Sequence, residues 1–211
     1  AAERIELGPE VLGQPVTGTL EASMQLSGGE GQARLDLLRT GDGPKGEITL
    51  DASYSNLTRD LGLALVAEED AKGIVVSLLG IPGAPSASLR VTGAGPIDDY
   101  AAQIALATDG AERLQGTVTV RGGDDGYRFL ADVAGDLAPI LAPEQLDFFG
   151  TEVALRLDAL RSPAGRLTID AFDLSARSLS LSGKAEIAAD GLPEWRSEEH
   201  TSELQSLAYL V

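Results

Sequence analysis

Apolar and polar residues alternate one by one along most of this chain, which is the pattern of β-strands with one apolar face. Between residues 16 and 26, the intervening positions are Thr, Glu, Ser or Gln, and every second position is apolar or small: Val16, Gly18, Leu20, Ala22, Met24 and Leu26. This segment therefore predicts a strand whose two faces differ sharply in polarity.

The same alternation returns at regular intervals, in residues 33–37, 48–54, 61–67, 87–93, 100–106, 114–120, 127–133, 153–159 and 179–187. Turn-forming sequences separate these runs, at residues 27–29, 41–44, 109–110, 122–126 and 190–191. The spacing predicts roughly ten to twelve strands of about ten residues joined by hairpins, an antiparallel meander. Near Ala171 the apolar positions slip by one residue, from 167, 169 and 171 to 172, 174 and 176, which predicts a β-bulge.

Two segments depart from the alternation and predict short helices. Residues 70–80 carry apolar residues at helical spacing, with Asp70 as a candidate N-cap and Gly80 as the end. Residues 136–149 form the second helix, with Asp136 as N-cap and Gly150 as the end, and Pro143 kinks or splits it. We expect both helices to cover or rim the sheet.

The apolar face of such a meander needs cover, because a continuous aliphatic strip about 50 Å long is unfavourable in water. One solution is a closed β-sandwich with the strip as its core. The other is an open trough whose apolar floor holds acyl chains. A recurring sequence pattern, apolar-x-Gly-x-apolar, places Gly18, Gly116 and Gly183 on the apolar face. Glycine at such a position allows the strand to bend or another group to approach it closely.

Composition and charge exclude several classes of function. The formal net charge of −17 argues against a nucleic-acid partner, and the absence of Cys excludes thiolate metal sites and cysteine nucleophiles. The single His, His200, lies in a C-terminal stretch that differs from the rest of the chain. No combination of residues indicates a catalytic site, so we expect no enzyme activity, no cofactor and no metal.

That C-terminal stretch has no periodicity continuous with the preceding strands. Residues 196–206 resemble the in-frame translation of a common sequencing adapter, and residues 207–211 would be read-through beyond it. We therefore expect residues 1–195 to form the folded segment and residues 196–211 to be a non-native tail.

Three blocks of the chain resemble the TamB family of AsmA-like envelope proteins of diderm bacteria, with alphaproteobacterial members the most similar. The first block joins residues 80–85 (GIPGAP) to residues 89–100 (LRVTGAGPIDDY). The second joins residues 135–141 (GDLAPIL) to residues 148–150 (FFG), and the third joins residues 179–185 (LSLSGKA) to residues 190–193 (DGLP). The order and spacing of these blocks carry the resemblance, which covers most of residues 5–195.

The resemblance implies an internal fragment of a long periplasmic β-trough, anchored at the inner membrane by parts of the protein outside this sequence. It also implies an Omp85-type outer-membrane barrel partner similar to TamA. The implied activity is phospholipid transport between the two membranes, and the alternative is assembly of outer-membrane proteins, including autotransporters. A closed sandwich with a purely structural role is a third possibility.

From this resemblance and the alternation, we expect acyl chains to lie against a set of aliphatic and aromatic side chains: Leu20, Leu50, Leu89, Val91, Ile104, Leu106, Val118, Phe129, Val133, Leu155, Leu157 and Leu181.

Overall fold

Consecutive strands pair with each other from one end of the chain to the other in a computed structural model, which describes residues 3–7, 16–189 and 193–194. They build one 13-stranded antiparallel sheet in sequence order. The strands are β1 (Glu3–Leu7), β2 (Val16–Ser27), β3 (Glu30–Arg39), β4 (Gly46–Ser55), β5 (Asp60–Glu69), β6 (Ala87–Pro96), β7 (Asp99–Thr108), β8 (Ala111–Gly123), β9 (Gly126–Gly135), β10 (Val153–Arg161), β11 (Leu167–Ser175), β12 (Ser180–Ile187) and β13 (Pro193–Glu194).

This arrangement confirms the predicted mainly-β meander, which is open and curled into a trough. The alternative of a closed β-sandwich is wrong, because the described strands lie in one unclosed sheet and no second sheet packs on it within residues 3–7, 16–189 and 193–194.

The predicted turns at residues 27–29 and 109–110 connect hairpins in the structure. Gly28 and Gly29 have φ values of 61° and 86°, and Asp109 and Gly110 have 49° and 74°, the left-handed region that such tight turns require. The predicted turn at Asp190-Gly191 and the predicted tail 196–211 lie outside the described residues.

The predicted bulge is confirmed in β11. Its pairing with β12 shifts between Ile169 and Phe172, and its pairing with β10 shifts between Asp158 and Ala159. Beside the bulge, the Arg128 guanidinium of β9 donates to both carboxylate oxygens of Asp158 at 2.7 and 2.8 Å, and to Asp170 at 3.0 Å. The Asp158 carboxylate raises the pKa of Arg128 above its usual value. This ion-pair network joins three successive strands where the ladder is irregular.

Both predicted helices are present but shorter. Helix α1 spans Ile74–Leu78, and its predicted cap, Asp70, instead accepts a hydrogen bond from the backbone N–H of Lys45. The second segment splits, as Pro143 predicts, into a 3₁₀ turn at Ala138–Ile140 and helix α2 at Pro143–Phe149. Asp136, the predicted N-cap, lies one residue before the N-cap Leu137 and accepts a hydrogen bond from the N–H of Ala138 at 3.0 Å.

Successive connections of a meander lie at alternate ends of its strands. The trough therefore has two edges, each with its own set of connections. One edge carries both helical connections and is called here the helical rim: residues 40–45, 70–86, 109–110, 136–152 and 176–179. The opposite edge carries only short connections and is called the turn rim: residues 28–29, 56–59, 97–98, 124–125 and 162–166. Within the described part of the chain, no helix is long and apolar enough to cross a bilayer.

Candidate functional site

A row of apolar residues crosses the sheet from strand to strand, each residue directly opposite the next. Directly paired residues project from the same face of a sheet, so the row defines an apolar face. Its members are Ala22, Leu35, Leu50, Leu65, Val91, Ile104, Gly116, Val133, Leu155, Leu174 and Leu181.

The structure brings all the sequence-predicted lining residues to this same face. Leu50, Val91, Ile104, Val133, Leu155 and Leu181 belong to the central row. Toward the helical rim, the neighbouring row contains Leu20, Leu89 and Leu106. Toward the turn rim, the next rows contain Val118 and Leu157, and then Phe129. Their contact with lipid stays a prediction.

These side chains are not a closed core. Each of them is half-buried except Leu181, which is 52% exposed. Buried apolar residues are few in the described part of the chain, namely Val76, Tyr100, Ala102, Val153 and Ala159. A sheet with one apolar face and so little interior presents a groove that a ligand or partner can fill.

A strongly apolar cavity of this groove lies beneath α1, at the helical rim, and has a volume of about 390 Å³. The sheet supplies Leu37, Ile48, Leu89 and Leu106 to its wall, and α1 supplies Ile74 and Val75. A volume of this size is within the range of about 300–1,000 Å³ that small-molecule sites occupy.

Glu69 holds α1 over the cavity. Its carboxylate accepts hydrogen bonds from the backbone N–H groups of Ile74 and Val75, the latter at 3.0 Å, and so satisfies the first turn of the helix. Val76, in the middle of the helix, is fully buried. The sequence reasoning missed Glu69, although its parity with Leu65 and Ala67 places it on the apolar face.

The sequence reasoning also missed Arg39. Its parity with Leu35 and Leu37 places it on the apolar face, and it lies opposite Gly18 in the wall of the cavity. Its Nη1 atom is buried and has no hydrogen-bond partner in the described part of the chain.

The opposite face is polar and carries ion pairs within and between strands. Arg34 donates to Asp36 at 2.8 Å and reaches Asp51 at 3.5 Å, and Arg156 reaches Asp132 at 3.4 Å. The hydrogen bond from Arg34 lowers the pKa of Asp36 below its usual value. Because these pairs are largely exposed, they mark a solvated surface and contribute little to stability.

Glycine allows the backbone to approach closely on the apolar face of the middle strands. A Cβ at Gly116 would meet the backbone of Asp132 and Val133, and one at Gly93 would lie 2.5 Å from the Tyr100 hydroxyl. The Tyr100 hydroxyl is buried without a hydrogen-bond partner in the described residues, and burial raises the pKa of Tyr100.

In comparisons with known proteins, no family model, no curated protein and no solved structure matches the chain.

Proposed function

We propose that this chain is a segment of a bridge-like lipid carrier, in which phospholipid acyl chains lie on the apolar face while their headgroups stay in water. The observation that supports this proposal is the continuous, half-exposed apolar row across an open sheet. Each methylene transferred from water to such a surface is stabilised by about 0.8 kcal/mol when fully buried. No covalent step is involved.

The setting of this activity comes from the resemblance to the TamB family. We propose that the trough lies in the periplasm of a diderm bacterium, between an inner-membrane anchor and an Omp85-type barrel at the outer membrane. The polar face, with its exposed ion pairs, would face water along the whole bridge.

Site-specific photo-crosslinking tests the lipid contact. Val118 and Thr119 are neighbours on β8 with similar partial burial, but they project from opposite faces. A photo-reactive residue is placed at one position or the other, the chain is expressed in a diderm host, and phospholipid adducts are detected by mass. We expect adducts at position 118 and none at position 119.

Equal labelling at both positions would indicate nonspecific membrane contact. No labelling at either position of a folded chain would contradict lipid binding.

The second candidate function is a scaffold for outer-membrane protein assembly, and the open sheet supports it. In the described residues, β1 pairs with β2 alone and leaves one side of its backbone unpaired, a template for an incoming strand. A proline in β1 would reduce assembly of a reporter autotransporter under this hypothesis and leave the lipid adducts at position 118 unchanged.

A further inference from the structure

Arg39 is a cation placed in an apolar wall. It is the last residue of β3, so it lies at the helical rim, where the apolar floor ends. Its guanidinium packs under the 40–45 connection, with Nη2 2.9 Å from the position that a Cβ would take at Gly43. Arg39 also lines the cavity beneath α1.

The guanidinium of Arg39 lacks an internal counter-ion among the described residues. Nη1 is buried and unpartnered, although a guanidinium remains charged at physiological pH. Buried charged groups in folded proteins are normally paired, so the unpartnered Nη1 atom favours binding of an anion at this place.

Two carboxylates that line the cavity are engaged elsewhere. Glu69, on the same face, accepts the N–H groups of Ile74 and Val75. Glu68 projects from the other face and pairs with Arg90 at 2.9 Å. Neither Glu69 nor Glu68 therefore pairs with Arg39.

The cavity beside Arg39 has the complementary chemistry. Its wall is built from Leu37, Ile48, Leu89 and Leu106 of the sheet, together with residues of α1. A ligand that satisfies both features has an apolar chain and an anionic group at its end.

We propose that Arg39 binds the anionic headgroup of an amphiphile whose acyl chain occupies the cavity beneath α1. This inference rests on the proposed lipid-carrying function and adds to it a preference for anionic over uncharged lipids at this point of the groove. Charge-assisted hydrogen bonds from a guanidinium to a phosphate or carboxylate supply the preference.

Binding of single-chain amphiphiles to the 211-residue chain tests the proposal. The probes are myristoyl-lysophosphatidylglycerol, which is anionic, and monomyristoylglycerol, which is uncharged and has the same acyl chain. Both are used below the concentration at which they form micelles, and affinities are measured by titration calorimetry. We expect the anionic probe to bind at least about tenfold more tightly to the native chain.

The variant Arg39→Gln is expected to lose this preference and to bind both probes with the affinity that the native chain shows for monomyristoylglycerol. The control variant Arg90→Gln removes the same charge from the opposite face of β6 and is expected to keep the preference. Circular dichroism establishes that both variants fold.

Three outcomes would overturn the proposal. If Arg39→Gln keeps the preference, Arg39 does not bind the headgroup. The proposed binding of lipid by the apolar groove is not contradicted by that result. If inorganic phosphate at matched concentration displaces the anionic probe, the site recognises a free anion rather than an amphiphile. If neither probe binds a folded native chain, the lipid-carrying function fails together with the Arg39 site.

Discussion

Individual glycines on the apolar face differ in what surrounds them, although they occur in the same local sequence pattern. Gly116 and Gly183 both follow the apolar-x-Gly-x-apolar pattern. At Gly116 a side chain would meet the backbone of the neighbouring strand, at Asp132 and Val133, whereas nothing lies within 4 Å at Gly183. Of these two glycines, only Gly116 is required for close backbone approach.

The variant Gly116→Ala is expected to lose about 1–3 kcal/mol of unfolding free energy, because the added methyl group displaces backbone atoms. The matched variant Gly183→Ala is expected to gain about 0.5 kcal/mol or stay unchanged, since alanine loses less conformational freedom than glycine on folding. Urea unfolding of the two variants measures both values. Equal losses at the two positions would contradict the assignment.

Tyr100 carries a polar atom that the fold leaves without a partner. Removing a buried, unpartnered hydroxyl is favourable, so Tyr100→Phe is expected to raise the unfolding free energy by up to about 1 kcal/mol. Tyr127→Phe is the control, because Tyr127 is 38% exposed and its hydroxyl accepts a hydrogen bond from Arg59.

Burial also makes the stability of the native chain depend on alkaline pH. Because the folded pKa of Tyr100 is raised above the usual 10.0, the contribution of Tyr100 to stability is constant below that pH and falls as pH rises above it. Urea unfolding at about pH 8 and about pH 11 is expected to show a smaller alkaline loss in Tyr100→Phe than in the native chain. An identical loss in both proteins would show that the folded pKa of Tyr100 is not raised above its unfolded value.

Strands and helices differ in how far the sequence predicts them. The alternation predicts the strands, and its slip near Ala171 predicts the bulge, because side-chain period and burial are directly coupled in a strand. The start of α1 could not be predicted from Asp70, because Lys72 adopts a left-handed φ of 63° and the chain turns before the helix begins. The cap then comes from Glu69, in the preceding strand.

Helix α1 is expected to depend on Glu69. The variant Glu69→Ala removes both acceptors of the first helical turn, at a cost of about 1 kcal/mol, and hydrogen exchange at the Ile74 and Val75 amides is expected to become faster. The variant Glu68→Ala is the control, because Glu68 projects from the other face. Unchanged exchange at both amides in Glu69→Ala would rule out this role.

Over the whole molecule, the main contacts of each strand are with the strands before and after it in sequence. Such a ladder resembles repeat proteins, in which stability is a sum of local and nearest-neighbour contributions. The alternation predicted both faces, but it could not decide between an open trough and a closed sandwich. The same aliphatic residues satisfy either, and only the pairing of all strands in one sheet distinguishes them.

A local disturbance is therefore expected to stay local. Hydrogen exchange in Gly116→Ala is expected to become faster in β7, β8 and β9, while β2 to β5 keep the protection of the native chain. A uniform loss of protection across all strands would show that the sheet unfolds as one cooperative unit.

The serial pairing of the strands also makes the length of the trough adjustable. A hairpin begins and ends at the same rim. When one hairpin is removed or added, both faces therefore keep their polarity and every remaining pair of strands keeps its register. Each such step changes the length of the groove by two strand spacings, about 10 Å. A scaffold of this kind can therefore grow or shrink through duplication and deletion of hairpins, without redesign of the strands that remain.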